Sequence, residues 1–193
     1  VGKVYLVRSP NSGTSSLGSA DAILREETVF DEAGKSLDGG HDVDGDGFGD
    51  LLIGAPGSDL GGANSGAAYV VGGTVSGDVY LSVADARLIG ASQNEQVGLD
   101  VAFAGDVNGD GIEDILVCAP GADRVYLAYG PFSGDVDLSF ADATFTAESP
   151  GDLSQCTVAG GGDTNGDGYS DLLIGAQLQG IGGAVYVVYG KGR

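Results

Sequence analysis

The chain has 193 residues, with 8 Lys and Arg against 28 Asp and Glu, for a formal net charge of -20. That charge repels phosphate backbones and anionic membrane faces, so nucleic acid is excluded as the expected partner. No stretch approaches the roughly 20 apolar residues of a membrane-spanning helix, so no membrane insertion is expected. Glycine is abundant at 37 residues, Met and Trp are absent, and Val, Ile, Leu, Ala and Tyr come in short runs broken by Gly, Ser, Asn and Asp. This composition predicts an all-β fold, and no segment has the 3.6-residue period of an amphipathic helix. The first residue is Val1 rather than Met and nothing near it resembles a signal peptide, as expected of a processed form or an excised segment.

In chain order, Val4-Tyr5-Leu6-Val7 reads as a strand and Ala22-Ile23-Leu24 as an outer strand. Then comes Asp42-Val43-Asp44-Gly45-Asp46-Gly47-Phe48-Gly49-Asp50, followed by the branched run Leu51-Leu52-Ile53 and by Ala68-Tyr69-Val70-Val71. The same series recurs. Arg87-Leu88-Ile89 precedes Asp106-Val107-Asn108-Gly109-Asp110-Gly111-Ile112-Glu113-Asp114, Ile115-Leu116-Val117 and Val125-Tyr126-Leu127-Ala128. Thr144-Phe145-Thr146 precedes Asp163-Thr164-Asn165-Gly166-Asp167-Gly168-Tyr169-Ser170-Asp171, Leu172-Leu173-Ile174 and Val185-Tyr186-Val187-Val188. Asp21, Asp85 and Asp142 each lie 21 residues before the first Asp of a string, so the repeat is 64 and then 57 residues long. A fixed period of this kind signals stacked supersecondary units. Residues 1–193 read as one repeat array: a trailing strand of a preceding unit (1–19), repeat 1 (20–83), repeat 2 (84–140) and an incomplete repeat 3 (141–193). Each unit reads as an outer strand, a strand entering the loop, a strand leaving it and the Tyr-bearing run. Strand-loop-strand units with Gly-rich turns suit four-stranded antiparallel β-propeller blades.

Each string is an expected Ca²⁺ loop. Side chains at positions 1, 3, 5 and 9 supply oxygens: Asp42, Asp44, Asp46 and Asp50; Asp106, Asn108, Asp110 and Asp114; Asp163, Asn165, Asp167 and Asp171. The position-7 carbonyls of Phe48, Ile112 and Tyr169 supply another. Carboxylates crowded in this way repel one another unless a hard cation with several oxygen ligands holds them. One copy could be an acidic Asp-Gly turn; three copies with the same donor positions, each followed by an apolar strand, favour metal. Position 12 is Ile53, Val117 or Ile174, which excludes the bidentate Glu of an EF-hand. About three Ca²⁺ ions are expected, bound between strands and offsetting much of the repulsion among the loop carboxylates. The first loop, with four Asp, is expected to bind most tightly.

The run Val97-Gly98-Leu99, then Gly105-Asp106-Val107-Asn108-Gly109-Asp110-Gly111, Asp114-Ile115-Leu116-Val117-Cys118-Ala119-Pro120 and Val125-Tyr126-Leu127, resembles the FG-GAP repeat of integrin alpha subunits. The first repeat matches through Gly54-Ala55-Pro56 and the third through Gly175-Ala176. Where the signature has Phe-Gly, this chain has Ala33-Gly34, Val97-Gly98 and, in the third repeat, Leu153-Ser154-Gln155; these departures touch inner-strand packing and leave the ligands intact. The resemblance covers nearly the whole chain and implies a β-propeller, here partial at about three blades. It also implies a Ca²⁺-stabilised extracellular or cell-surface scaffold for ligand binding or cell adhesion, its ligand a protein or a carbohydrate. Three units do not close such a ring, so self-association, a homodimer being simplest, or the rest of a longer propeller is expected to complete it.

The competing reading is a module of a secreted Ca²⁺-dependent hydrolase or polysaccharide lyase, to which related repeats are attached. No catalytic set stands out: His41 is the sole histidine and is expected to be a turn residue, and basic clusters that would grip an anionic sugar are missing. A non-enzymatic role is therefore expected. Cys118 and Cys156 read as small buried fillers, with one disulfide permitted but not demanded. Tyr5, Tyr69, Tyr126 and Tyr186 read as interstrand packing, and the connections 57–65 and 177–181 have room to contact a ligand.

Overall fold

The apolar run behind each acidic string becomes the central strand of a sheet, and the rest of the architecture follows from that placement. The computed structural model describes residues 2–8 and 13–192, among which there are fifteen strands and four three-residue 3₁₀ turns. The strands are β1 (Lys3–Leu6), β2 (Ala22–Arg25), β3 (Leu37–His41), β4 (Asp50–Ala55), β5 (Ala67–Val71), β6 (Gly77–Tyr80), β7 (Ala86–Ile89) and β8 (Val101–Gly105). They continue with β9 (Asp114–Ala119), β10 (Arg124–Ala128), β11 (Gly134–Asp137), β12 (Ala143–Thr146), β13 (Cys156–Gly162), β14 (Asp171–Ala176) and β15 (Ala184–Val188).

Four sheets form, in the orders β1-β2-β6, β3-β4-β5-β7-β11, β8-β9-β10-β12 and β13-β14-β15. Two contain the full antiparallel four-stranded blade and two contain part of one, so the chain is a partial propeller whose sheets do not close into a ring. The outer strand of each sequence repeat pairs with the Tyr-bearing strand of the repeat before it: Tyr5 faces Ile23, Tyr69 faces Arg87 and Tyr126 faces Thr144. Sequence period and sheet are therefore offset, which differs from four strands within each repeat. The reason is local: the outer run lies nearest to the Tyr strand just laid down, and only the next inner strand crosses to a new sheet. The sequence reading also lacked β6 and β11, which add in parallel to β2 and β7. Each has one half-buried Val and is tied by an ion pair, Arg25 with Asp78 and Arg87 with Asp135, features too sparse for a strand pattern.

Consecutive sheets pack face to face. Successive residues of a central strand face opposite sides, so Ile53 packs toward β1 and β2 with Leu24 and Tyr69, while Leu52 packs toward β8 and β9 with Val70, Leu88, Phe103 and Ile115. Both sides are covered, which is why these strands read as unbroken apolar runs rather than alternating ones. Leu116 and Leu127 face Leu172 and Ile174 across the next gap. At the ends of the array the covering stops: Val185 is 71 % exposed and Val187 49 %, whereas their counterparts Ala68 and Val70 are buried.

Cys118 in β9 is bonded to Cys156 at the start of β13, with Cα atoms 6.1 Å apart, so the bridge that the sequence permits without demanding is formed, and both residues are buried. The partners lie 38 residues apart in different sheets, so only the three-dimensional offset of neighbouring blades brings them together. Closing a loop of that length removes unfolded-state freedom worth about 3–4 kcal/mol and locks the third sheet to the fourth.

Candidate metal centres

The three acidic strings fill the β3–β4, β8–β9 and β13–β14 connections, position 9 being the first residue of the central strand. All three fold the same way. The position-1 carboxylate accepts the N–H groups of positions 4 and 6: Gly45 and Gly47 on Asp42 at 2.8 and 2.9 Å, Gly109 and Gly111 on Asp106 at 2.6 and 2.8 Å, Gly166 and Gly168 on Asp163 at 2.6 and 2.9 Å. Those glycines have φ between +79° and +94°, a range that side chains resist. Position 3 accepts from the N–H of position 5, as Asp44 from Asp46, Asn108 from Asp110 and Asn165 from Asp167. Position 5 accepts from position 7, as Asp46 from Phe48, Asp110 from Ile112 and Asp167 from Tyr169.

Position 9 closes the mouth of each hairpin. Asp50, Asp114 and Asp171 are buried, at 1 %, 0 % and 0 % exposure. One oxygen of each accepts the position-2 N–H of Val43, Val107 or Thr164 at 2.8–2.9 Å. The other accepts from Gly73, Gly130 or Gly190, just beyond the Tyr-bearing strand, at 3.0–3.1 Å. These glycines and the position-2 residues were missed by sequence reasoning, although a Gly recurring shortly after each Tyr-bearing run was the available signal. Burial pushes the Asp50 carboxyl up and that of Asp114 up to about 6, against the pull of their backbone donors. Asp171 is held below the usual range, chiefly because the Thr164 hydroxyl also donates to it. The third loop is thus chemically distinct from the others in a way that Asn for Asp at position 3 did not reveal.

In the first loop, oxygens of Asp42, Asp44 and Asp50 lie within 4.8 Å of one another, a grouping that Asp46 does not join. The second and third loops have neutral Asn at position 3, and their backbone cradles are the same. Each ionised carboxylate retains lone pairs beyond those engaged by backbone donors. The donors are hard oxygens, with neither thiol nor imidazole among them, and so fit a Ca²⁺-type cation rather than a soft metal.

His41 is the last residue of β3 rather than a turn residue, and its place corrects that expectation. Its Nδ1 lies 3.2 Å from Oε2 of Glu113, position 8 of the second loop, and its ring stacks on Phe103 with centroids 4.9 Å apart. Of the two roomy connections, 57–65 packs on the chain at 94–97: Asn94 and Gln96 donate to Ala63 and Asn64, and Ser58 and Ser65 are buried. In 177–181, Leu178 and Ile181 are exposed.

Removing a position-9 carboxylate leaves one buried and one half-buried N–H group without that acceptor, each buried group left so costing about 1–3 kcal/mol. We predict that Asp114→Ala lowers unfolding free energy by about 3 kcal/mol in chelator, where metal plays no part. Denaturant unfolding checks this, and an unchanged midpoint would refute the closing role.

No helix among the described residues is long and apolar enough to cross a membrane. Residues 33–71 match the FG-GAP repeat and residues 106–174 the FG-GAP-like repeat, more than half of the chain between them. Integrin alpha-7 of Rattus norvegicus is 34 % identical over 143 residues, 70 % of this chain and 12 % of the relative. Integrin alpha-11 of Homo sapiens is 28 % identical over 182 residues, 91 % and 15 % respectively. Phosphatidylinositol-glycan-specific phospholipase D of Dictyostelium discoideum is 26 % identical over 201 residues, 90 % of this chain and 21 % of the relative. The chain thus spans between about a tenth and a fifth of these relatives. Repeat matches, blade architecture and loop geometry agree: the chain belongs to the FG-GAP repeat proteins and is integrin-alpha-like.

Proposed function

We propose that this chain is a calcium-binding propeller segment of an extracellular or cell-surface protein, a non-catalytic scaffold for adhesion or for binding a protein or carbohydrate ligand. The observation that carries this reading is the threefold recurrence of one backbone cradle beneath clustered carboxylates. Asp42, Asp44, Asp46 and Asp50, with the Phe48 carbonyl, would hold one ion; Asp106, Asn108, Asp110, Asp114 and the Ile112 carbonyl a second; Asp163, Asn165, Asp167, Asp171 and the Tyr169 carbonyl a third. A bound dication supplies positive charge where the carboxylates repel and keeps the buried position-9 acids ionised. The protein's part is to set some of the geometry in advance: positions 1 and 9 are tied to backbone donors, and an ion would order the rest of the loop.

Loops of this class in extracellular modules bind at about 10⁻⁴ to 10⁻³ M, weak enough to require a calcium-rich compartment. The Cys118–Cys156 bond suits the same oxidising setting. The relative named as a phospholipase D supports a second reading, a module within a secreted calcium-dependent hydrolase. Under that reading too this chain is the scaffold, since His41 is engaged by Glu113 and Phe103 rather than by a nucleophile.

Three sites filled at about 10 mM Ca²⁺ add about 1.4–2.7 kcal/mol each, and about 2–4 °C of melting temperature per kcal/mol for a chain of this size. Melting in EGTA and in 10 mM Ca²⁺ should differ by about 10 °C or more; coincident curves would remove the calcium reading.

The bare faces at the two ends of the array, Val185 and Val187 on β15 and Tyr5 on β1, are 71 %, 49 % and 37 % exposed, and we propose that another copy or further blades cover them. Light scattering of this chain in Ca²⁺ should give a dimer mass; a monomer at all concentrations would reject self-association.

A further inference from the structure

The three loops share one internal cradle but not one setting. Asn108, the position-3 donor of the second loop, is 2 % exposed, while Asp44 and Asn165 at the same position are exposed. The third loop and the chain beyond β15 lie against the second loop. The Ser170 N–H donates to the carbonyl of Asp106 at 2.9 Å, and the Lys191 N–H donates to the carbonyl of Val107 at 3.0 Å. The ring edge of Tyr169 lies where a Cβ on Gly109 would stand, so this glycine, at φ +81°, has its free side closed by the ring. Ser170 Oγ sits against Gly105, the residue before the loop, in the same way.

Positions 1, 2 and 4 of the second loop are therefore held from outside. Two of the groups holding them, Tyr169 and Ser170, are positions 7 and 8 of the third loop. The first loop is touched differently: Glu113 reaches back to His41, outside its donor string, through side chains alone. Gly45, at the position equivalent to Gly109, has open space where Gly109 meets a ring.

Resting on the calcium reading above, we propose that Tyr169, Ser170 and Lys191 are positioning residues for the second metal loop, so that the second and third sites bind calcium as a coupled pair while the first binds nearly independently. Ordering the third loop around an ion fixes Tyr169 and Ser170, and these fix the backbone of Asp106, Val107 and Gly109. The second site is then prepared before its own ion arrives, which lowers the ordering cost of the second event. Linkage requires the converse to the same extent.

The test is site-resolved. Backbone amide NMR of the whole chain during Ca²⁺ titration follows Gly47, Gly111 and Gly168, whose N–H groups each sit on a position-1 carboxylate. Tyr169→Ala keeps every proposed ligand of every loop and should move the Gly111 midpoint to at least about fivefold higher Ca²⁺, with Gly47 moving less than about twofold. Tyr169→Phe should restore Gly111. Phe48→Ala, the equivalent change in the first loop, should leave Gly111 and Gly168 unmoved. Asp167→Asn should weaken Gly111, and Asp110→Asn should weaken Gly168 by the same factor, which keeps the proposal open to refutation if Tyr169→Ala does not fold. Unchanged Gly111 midpoints in Tyr169→Ala and Asp167→Asn, with all three sites still titrating, overturn the coupling alone. Failure of all three glycines to respond in the unaltered chain overturns the calcium reading itself.

Discussion

A buried carboxylate at the head of each central strand is the constraint on which the architecture turns. Asp50, Asp114 and Asp171 each accept one amide from the loop they close and one from the chain beyond the Tyr-bearing strand. That pair of bonds joins the two ends of the loop and the chain beyond the Tyr-bearing strand at one point, and it fixes the first residue of the strand about which each sheet is built. An anion in such a place is costly unless its charge is answered. The backbone donors answer part of it. The neighbouring loop carboxylates make the rest worse, and this residual imbalance is the physical argument for a cation at each mouth.

The sheets then follow from packing. A strand buried on both faces must be apolar on both, as β4 and β9 are after their leading Asp, and the sheets stack as consecutive layers with a core in every gap. Stacking in this way leaves two end faces, and the exposure of Val185 against the burial of Ala68 measures what one missing layer does. The disulfide adds a covalent tie across the last gap.

Much of this was legible because it repeats. Three copies of the donor string located the candidate ligands at positions 1, 3, 5, 7 and 9, and the branched run after each excluded a helix-flanked loop. What stayed hidden depended on offsets that a linear period does not carry. Ala86 pairs with Val70 of the preceding repeat, so the blade is shifted from the sequence unit. Cys118 and Cys156 meet only because adjacent blades are staggered, and β6 and β11 pair in parallel with strands of another unit while carrying a single half-buried Val each. The distinction among the three loops was also invisible: Thr164 donating to Asp171, and Tyr169 lying against Gly109, are contacts made by residues whose types alone announce neither.

Cations in all three hairpin mouths, with the acidic side chains converging on them, would complete the charge balance. Diffraction from crystals grown in Ca²⁺ measures this most directly. Three density peaks are expected, each ringed at about 2.3–2.6 Å by oxygens of positions 1, 3, 5, 7 and 9. Calcium-saturated crystals with no peak in any loop, and with Asp42, Asp106 and Asp163 turned out to solvent, would contradict it.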